Sequence, residues 1–271
     1  MRRPEGETSV RQSRQSYDVG FAAVYDVYLG GLGNHVASKL IELCRTHDLL
    51  DPDARVLDIG CGTGIAARQF VKAGWQVTGI DLSPHMLRQA RAKLSRSIRA
   101  GRASLKVADA RRFEVGRGYG LIYSVLDCID HLPDSRALRG CFGSAYAAAA
   151  PGAQFVFSLV TAAGMEQFSG FTAKDGHGGS ITIHGVYDAS SSSVVLEVAG
   201  YRPAKAGLFR RFATVMHLTV HDPRRVRMDL VASGWKVLRV STLENLGIAA
   251  KGISKADRIF FVCSKPRGHP P

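Results

Sequence analysis

The chain has 271 residues, of which 45% are hydrophobic, and a formal net charge of +13. This length suits one large α/β domain, or one domain that carries an insertion. No apolar stretch predicts a membrane span, the amino terminus lacks the apolar run of a signal peptide, and five cysteines without paired spacing predict neither a disulfide framework nor a zinc site. The expected compartment is therefore the cytoplasm.

The first predicted elements are a tail and a helix. Residues 1–16 are polar, basic and without periodicity, which predicts a disordered tail before a folded domain over 17–271. Aromatic residues between Tyr17 and Tyr28 recur at helical spacing, so we expect a helix there, broken at Gly30-Gly31 and resumed over 34–47. The aromatic stripe predicts either core packing or a helix that closes over a ligand.

The next segment carries the most informative motif. Residues 56–64 read Val-Leu-Asp-Ile-Gly-Cys-Gly-Thr-Gly, and Gly79-Ile80-Asp81 follows. The pattern predicts a strand over 55–59, a glycine turn, a helix over 64–73, and a second strand over 77–80 that ends in a carboxylate. Such a unit suits a nucleoside, because glycines let the backbone approach the ligand and the acid holds ribose hydroxyls.

The glycine spacing separates two kinds of ligand. Dinucleotide sites usually read G-x-G-x-x-G, whereas here the third glycine falls at position 64 and Ile65 stands where that pattern has glycine. Asp58 lies two residues before the first glycine, where it would repel a pyrophosphate but suits a cationic amine. S-adenosylmethionine has that amine, together with a sulfonium and no phosphate.

These residues resemble the class I (Rossmann-like) S-adenosylmethionine-dependent methyltransferases, and in particular members that act on small molecules. Residues 56–64 are similar to the family's hydrophobic-hydrophobic-Asp-x-Gly-x-Gly-x-Gly motif, and residues 81–87 to the end of its second strand and the next helix start. The resemblance covers about residues 17–160 well. It implies S-adenosyl-L-methionine as cofactor and an α/β, Rossmann-like, seven-stranded and mostly parallel sheet with helices on both faces.

The resemblance also implies the residues that bind the cofactor. Asp81 is expected to hold the ribose hydroxyls, and Asp109 to accept a hydrogen bond from the adenine amino group. Asp58 is expected to act through the glycine turn on the ligand's ammonium group. Tyr17 and Tyr25 stand where the family has tyrosines on an amino-terminal helix. The other expected contacts are Gly60, Cys61, Gly62, Gly64, Leu82, Met86, Ala110, Val125 and Leu126.

The later segments continue the α/β alternation and then depart from it. A helix capped by Ser83 is predicted over 84–95, and a second from Ser135 to 150. Residues 162–220 predict an antiparallel β insertion after the fifth strand, acting as a lid or a dimer contact. The predicted strands lie over 104–108, 119–126, 154–160, 180–187, 194–201, 211–220, 235–242 and 258–263, with a last helix over 223–233.

His131 is the catalytic candidate. It follows the fourth predicted strand, and an imidazole with a pKa near 6.5 suits proton removal at neutral pH. It also resembles a histidine at this place in small-molecule methyltransferases, although packing or capping of the loop is an equal alternative. Asp127 and Asp130 are either loop acids or contacts for a cationic acceptor. Four other histidines, without ligand spacing, predict no metal site: His177, His184, His217 and His221.

Several functions remain open from the sequence. The first is methyl transfer to an N or O atom of a small molecule, in a protein without membrane contact that is either monomeric or a homodimer. The alternative is a methyltransferase for RNA or protein; nucleic acid is disfavoured because the basic residues are spread over many elements. A dinucleotide oxidoreductase conflicts with the glycine spacing. A non-catalytic binding protein with this fold also stays open.

Overall fold

The computed structural model describes residues 17–46, 53–249 and 253–267. The predicted tail over 1–16 lies outside the described residues. The helices are α1 Val19–Thr46, α2 Ile65–Lys72, α3 Pro84–Lys93, α4 Ser95–Arg99, α5 Ser135–Ala148, α6 Ala162–Gln167 and α7 Pro223–Ala232. The strands are β1 Arg55–Ile59, β2 Gln76–Asp81, β3 Ala103–Val107, β4 Tyr119–Ser124, β5 Ala149–Val160, β6 Gly170–Lys174, β7 Ser180–Asp188, β8 Ser193–Pro203, β9 Phe209–Thr219, β10 Lys236–Ser241 and β11 Arg258–Ser264.

Seven strands form the main sheet, in the order β10-β11-β5-β4-β1-β2-β3. β1 to β5 pair in parallel, while β11 runs antiparallel to both β5 and β10. This confirms the predicted Rossmann-like fold with its seven-stranded, mostly parallel sheet. The strand order reverses between β1 and β4, so the loops after these strands diverge and leave a crevice at their carboxyl ends.

Helices cover both faces of this sheet, as a parallel sheet requires. On one face α5 and α7 pack with fully buried aromatic side chains, among them Phe142, Phe155 and Phe261. The Trp235 indole lies in the same core and donates a hydrogen bond to the carbonyl of Phe142 at 3.0 Å. On the other face α2 and the carboxyl-terminal half of α1 pack around Phe70 and Tyr123.

A second, antiparallel sheet contains β6, β7, β8 and β9 in that order. The three strands that the sequence predicts here are present, and Asp188 pairs with Ser193 across the predicted turn. β6 was not predicted. Its residues are mostly exposed and show no apolar alternation, so its strand conformation depends on pairing with β7. The predicted bounds of the insertion, 162–220, and its role as lid or dimer contact stay predictions.

The amino-terminal helix corrects one prediction. α1 is continuous over 28 residues, and Gly30-Gly31 does not break it. A Cβ at Gly33 would lie 3.1 Å from Cγ2 of Ile65, so glycine allows close contact between α1 and α2, and this packing offsets the low helix propensity of glycine. Phe21 and Val24 of the same helix pack on the second sheet. α1 therefore joins the two sheets.

The fourth strand also ends earlier than predicted. β4 stops at Ser124, and Leu126 and Asp127 adopt left-handed backbone conformations with φ of 59° and 69°. Each such residue costs on the order of 1–3 kcal/mol, and such strain concentrates at functional sites. The sequence contains no glycine here, so local propensity gave no sign of the turn.

Smaller corrections concern element ends. α5 begins at Ser135 as predicted but ends at Ala148, and Asp134 caps it by accepting a hydrogen bond from the Ala137 amide at 2.8 Å. β5 begins at Ala149, five positions before the predicted start at Gln154, because the chain after β11 pairs with it. Within the described residues, no helix is long and apolar enough to cross a membrane.

Candidate active site

A cavity of about 930 Å³ lies at the carboxyl ends of the parallel strands. The loops after β1, β2, β3 and β4 contribute to its wall, together with the start of the described chain and the end of β9. The structure brings together here all but one of the residues that the sequence predicted. These are Tyr17, Tyr25, Asp58, Gly60, Cys61, Gly62, Asp81, Leu82, Met86, Asp109, Ala110, Val125, Leu126 and His131.

The first two glycines of the motif form the floor of the cavity. Gly60 and Gly62 have φ of 73° and 54°, which side chains rarely adopt. A Cβ at Gly60 would lie 2.3 Å from Sγ of Cys128, in the loop after β4. Glycine at this position therefore lets the loops after β1 and β4 approach each other, and the cavity lies above their contact.

Gly64 is the predicted residue that does not line the cavity. It has φ of 77° and forms the N-cap of α2. A Cβ on it would lie 3.1 Å from Cβ of Ala90 and 3.2 Å from Cδ1 of Leu94. The third glycine of the motif thus allows α2 to begin against α3. Its role as a cofactor contact stays a prediction, since what the structure shows for this residue is helix packing.

Asp81 connects two turns at the edge of the cavity. Its Oδ2 accepts a hydrogen bond from the Gly62 amide and its Oδ1 one from the Ser83 amide, both at 2.8 Å. Burial raises the pKa of Asp81, while these two hydrogen bonds lower it. The carboxylate is therefore fixed in place, and each oxygen keeps acceptor capacity for a ligand hydroxyl.

Asp58 lies deeper, beneath the glycine turn. It is only 2% exposed, and its Oδ2 accepts a hydrogen bond from the Tyr123 hydroxyl at 2.8 Å. Burial raises the pKa of Asp58 to about 7, although the hydrogen bond from Tyr123 acts in the opposite direction. The position agrees with an effect through the turn, since the side chain is already bonded within the protein.

Asp109 is held by a neighbour that the sequence did not single out. The Arg111 guanidinium binds both carboxylate oxygens, with Nε 3.1 Å from Oδ1 and 2.9 Å from Oδ2. Burial raises the pKa of Asp109, but the hydrogen bonds and charge of Arg111 lower it below its usual value overall. Asp109 lines the cavity as predicted, with its acceptor capacity shared with Arg111.

His131 is fixed by hydrogen bonds at both ring nitrogens. Nδ1 lies 3.0 Å from the carbonyl oxygen of His217, and Nε2 lies 3.0 Å from the Tyr17 hydroxyl. A carbonyl oxygen only accepts, so Nδ1 carries the proton and Nε2 presents its lone pair, which accepts from the Tyr17 hydroxyl. Burial lowers the pKa of His131, while the charge of Asp127 raises it. The ring is therefore neutral near pH 7.

The two acids before His131 do not line the cavity. Asp127 forms an ion pair with Arg258 at the start of β11, and the buried Asp130 carboxylate accepts a hydrogen bond from the Val160 amide at 3.1 Å. Their interpretation as contacts for a cationic acceptor stays a prediction, and the structure shows that a cation of the chain itself pairs with Asp127.

Other cavity residues were missed by the sequence analysis. Ser83, recognised only as a helix cap, also donates from Oγ to the carbonyl of Tyr17 at 2.8 Å. His217 contributes the backbone carbonyl that orients His131. The sequence gives no sign of this contact, because every residue has a backbone carbonyl. Further lining residues include Thr63, His85, Arg111, Cys128, Leu132 and Pro133. No group of three or more His, Cys, Asp or Glu side chains in the described segments has a metal-binding arrangement.

α1 is attached to the glycine turn by a polar cluster. The Asp26 carboxylate accepts a hydrogen bond from the Thr63 hydroxyl and pairs with Lys93 of α3. The Lys93 ammonium also donates to Thr63 Oγ1 at 3.2 Å. This cluster keeps α1, with Tyr17 and Tyr25 at its amino-terminal end, closed against the cavity.

Removal of this cluster is expected to loosen ligand binding modestly. A partly exposed ion pair contributes up to about 1 kcal/mol, so Lys93→Gln is expected to weaken the binding of S-adenosylhomocysteine about two- to fivefold, with a faster off-rate. Calorimetry and stopped-flow measurements test this. Lys39→Gln is the matched control, because Lys39 of α1 pairs with Glu42 and Glu244 away from the cavity. Equal affinity in both variants contradicts the prediction.

Comparison with known proteins identifies the kind of domain. Residues 56–152 match the family model described as a methyltransferase domain. This segment is similar to a methyltransferase domain. The predicted resemblance to the S-adenosylmethionine-dependent methyltransferases is thereby confirmed. The match contains the glycine turn, Asp81, Asp109 and His131.

Similar proteins match over most of the chain. A dTDP-3-amino-3,4,6-trideoxy-alpha-D-glucopyranose N,N-dimethyltransferase from Streptomyces venezuelae is 26% identical over 243 residues, which cover 88% of this chain and 97% of the relative. The crystal structure of a S-adenosylmethionine-dependent methyltransferase from Clostridium acetobutylicum has a TM-score of 0.75 at 18% identity, covering 91% of this chain and 98% of its own. The sugar N-methyltransferase KedS8 from Streptoalloteichus has a TM-score of 0.69 at 20% identity, covering 90% and 93%. These two structures show the fold.

Proposed function

We propose that the protein transfers a methyl group from S-adenosyl-L-methionine to an amine nitrogen of a small molecule, with an amino sugar as the acceptor class. The family match supports methyl transfer, and the Streptomyces relative, whose name specifies an amino-sugar acceptor, aligns over 97% of its length. We propose N-methylation rather than O-methylation because of the chemistry of His131.

The wall of the cavity fits the proposed cofactor. Both Asp81 oxygens, fixed by the amides of Gly62 and Ser83, suit two vicinal ribose hydroxyls. Leu82 and Met86 provide apolar contacts for the adenine ring, and Asp109-Ala110 provides polar groups at its edge. The turn at Gly60 and Gly62 admits the methionine portion close to the backbone. When bound, S-adenosylmethionine supplies a methyl carbon activated by a sulfonium.

The observation that carries the proposal is the hydrogen bonding of His131 at the cavity. Its Nδ1 lies against the His217 carbonyl, which requires a proton on that nitrogen, and its Nε2 accepts from the Tyr17 hydroxyl, which also lines the cavity. Most alkyl amines are protonated at neutral pH and must lose a proton before the nitrogen can attack. A neutral imidazole accepts that proton, whereas deprotonation of a sugar hydroxyl demands a much stronger base.

The acceptor is proposed to bind between His131 and the second sheet. Leu132, Pro133 and His217 line this part of the cavity. Strand β9, which carries His217, is an edge strand of that sheet. We therefore propose that the segment 162–220 forms one wall of the acceptor pocket, and its second predicted role, as a homodimer contact, remains a separate proposal.

Matched acceptors test the function. The purified protein is incubated with labelled S-adenosylmethionine and, in separate reactions, with a nucleotide-linked 3-amino sugar or its analogue that has a hydroxyl in place of the amine. We expect label on the amino sugar alone, with one or two methyl groups found by mass spectrometry. Methylation of the hydroxyl analogue contradicts N-specificity. Label on RNA that declines steeply with salt supports the nucleic-acid alternative instead.

A further inference from the structure

Asp127, in the loop between β4 and His131, forms an ion pair with Arg258, and the proposed cofactor site does not require this pair. Asp127 Oδ1 lies 2.5 Å from Nη2 of Arg258, and Arg258 Nη1 donates to the Ser158 hydroxyl at 3.4 Å. Arg258 is the first residue of β11 and pairs in register with Val160, the last residue of β5. The pair therefore anchors the loop to the carboxyl end of the sheet.

The same loop has an unfavourable backbone. Leu126 and Asp127 are consecutive residues with side chains and positive φ, and this strain persists only where surrounding contacts impose it. The contacts here are the Asp127–Arg258 ion pair and the hydrogen bond from the Val160 amide to Asp130. The turn they hold directs Leu126 into the cavity and places His131, whose amide donates to the Asp127 carbonyl at 3.3 Å.

We propose that Asp127 and Arg258 are positioning residues for His131: their ion pair holds the loop that places the imidazole at the acceptor, near their two opposite charges. The proposal rests on the proposed role of His131 in methyl transfer. Its physical basis is that a carboxylate near an imidazole favours the protonated ring, and a guanidinium against that carboxylate offsets the effect.

The surroundings of His131 agree with this assignment. The negative charge of Asp127 raises the pKa of His131 against the larger lowering by burial. Asp127 and Arg258 also act in opposite directions on the pKa of Asp130, which burial raises well above its usual value. The titratable and charged groups that act directly on the imidazole are Tyr17, Asp127 and His217, and Arg258 acts through its ion pair with Asp127.

Two substitutions with opposite effects test the pair. Asp127→Asn keeps the shape of the side chain and removes its negative charge, so we expect the His131 titration midpoint to move to lower pH. Arg258→Gln removes the positive charge, so we expect the midpoint to move to higher pH. The midpoint is measured by NMR on the ring proton of His131 in the full chain, assigned by its loss in His131→Asn. The acid limb of kcat/KM against pH is expected to move in the same direction.

Controls separate charge from folding. Arg258→Lys keeps the positive charge and is expected to keep the parent titration midpoint of His131. If Arg258→Gln fails to fold, the comparison of Arg258→Lys with Asp127→Asn still tests the effect of charge. Glu244→Gln removes a remote surface acid and is likewise expected to leave the midpoint in place. A midpoint unchanged in Asp127→Asn, or shifts of the same sign in both charge variants, overturns the proposal. Opposite shifts without any methyl transfer support the pair and contradict the proposed function.

Discussion

Asp81→Ala is expected to weaken the binding of S-adenosylmethionine and S-adenosylhomocysteine by about 100-fold or more. Hydrogen bonds to a charged partner contribute about 1.5–3 kcal/mol each, and the substitution removes acceptors for two ribose hydroxyls. It also leaves the Gly62 and Ser83 amides without their partner, so the turn loses its fixed position. Calorimetry with S-adenosylhomocysteine measures the loss directly, without an acceptor.

A matched control separates this loss from general destabilisation. Asp222 caps α7 by accepting a hydrogen bond from the Arg224 amide at 2.9 Å, and it lies away from the cavity. Asp222→Ala is expected to cost about 1 kcal/mol of folding stability, as the loss of an N-cap does, and to leave ligand affinity in place. Unchanged affinity in Asp81→Ala, or binding of NAD by the parent in place of S-adenosylmethionine, contradicts the proposed cofactor site.

The same site predicts a pH dependence of ligand affinity. Ribose hydroxyls bind the ionised carboxylate more strongly than the protonated acid. Burial raises the pKa of Asp81 above its usual value, against the lowering by hydrogen bonds from the Ser83 and Gly62 amides. Affinity is therefore full above that raised pKa and is expected to fall as pH decreases through it. An affinity that rises on acidification contradicts the assignment.

His131→Asn is expected to lower kcat by about 100- to 10,000-fold, the range that loss of a positioned general base gives. The asparagine amide has the reach to replace the Nδ1 donor toward the His217 carbonyl, but nothing replaces the Nε2 lone pair. Affinity for S-adenosylhomocysteine is expected to stay near that of the parent, because the ribose and adenine contacts remain. Steady-state kinetics with the amine acceptor, together with calorimetry, separate the two effects.

The control for this substitution is another histidine. His184 lies exposed on β7, and His184→Asn makes the same chemical change outside the cavity. We expect parent kinetics for it. If His131→Asn retains kcat while its KM rises, the imidazole binds the acceptor but removes no proton from it. That result excludes His131 as the general base.

Much of the cofactor site was predictable because its signals are local. The strand, glycine turn and helix over 55–73 are encoded by apolar runs and by residues that tolerate positive φ within a few positions of one another. Asp81 follows the next strand directly, and parallel strands bring their carboxyl ends to one edge of the sheet. The role of Gly64 stays a prediction, since a local motif does not tell which glycine faces the ligand and which packs against Ala90.

The catalytic arrangement depends on contacts far apart in the sequence. Tyr17 and His131 are 114 positions apart, and His217 lies 86 positions beyond His131. Likewise, the continuity of α1 through Gly30 follows from its packing on α2, and the Asp127–Arg258 pair joins a loop to a strand. Sequence periodicity does not reveal such long-range contacts, because it describes only neighbours along the chain.

Backbone freedom and carboxylate placement are properties of short segments, so the order of residues was enough to predict a nucleoside crevice and the kind of donor that suits it. The tautomer of His131, the acids that face cations rather than the cavity, and the way α1 joins the two sheets became visible in the folded chain. Those features arise when burial removes water and distant groups become each other's hydrogen-bond partners.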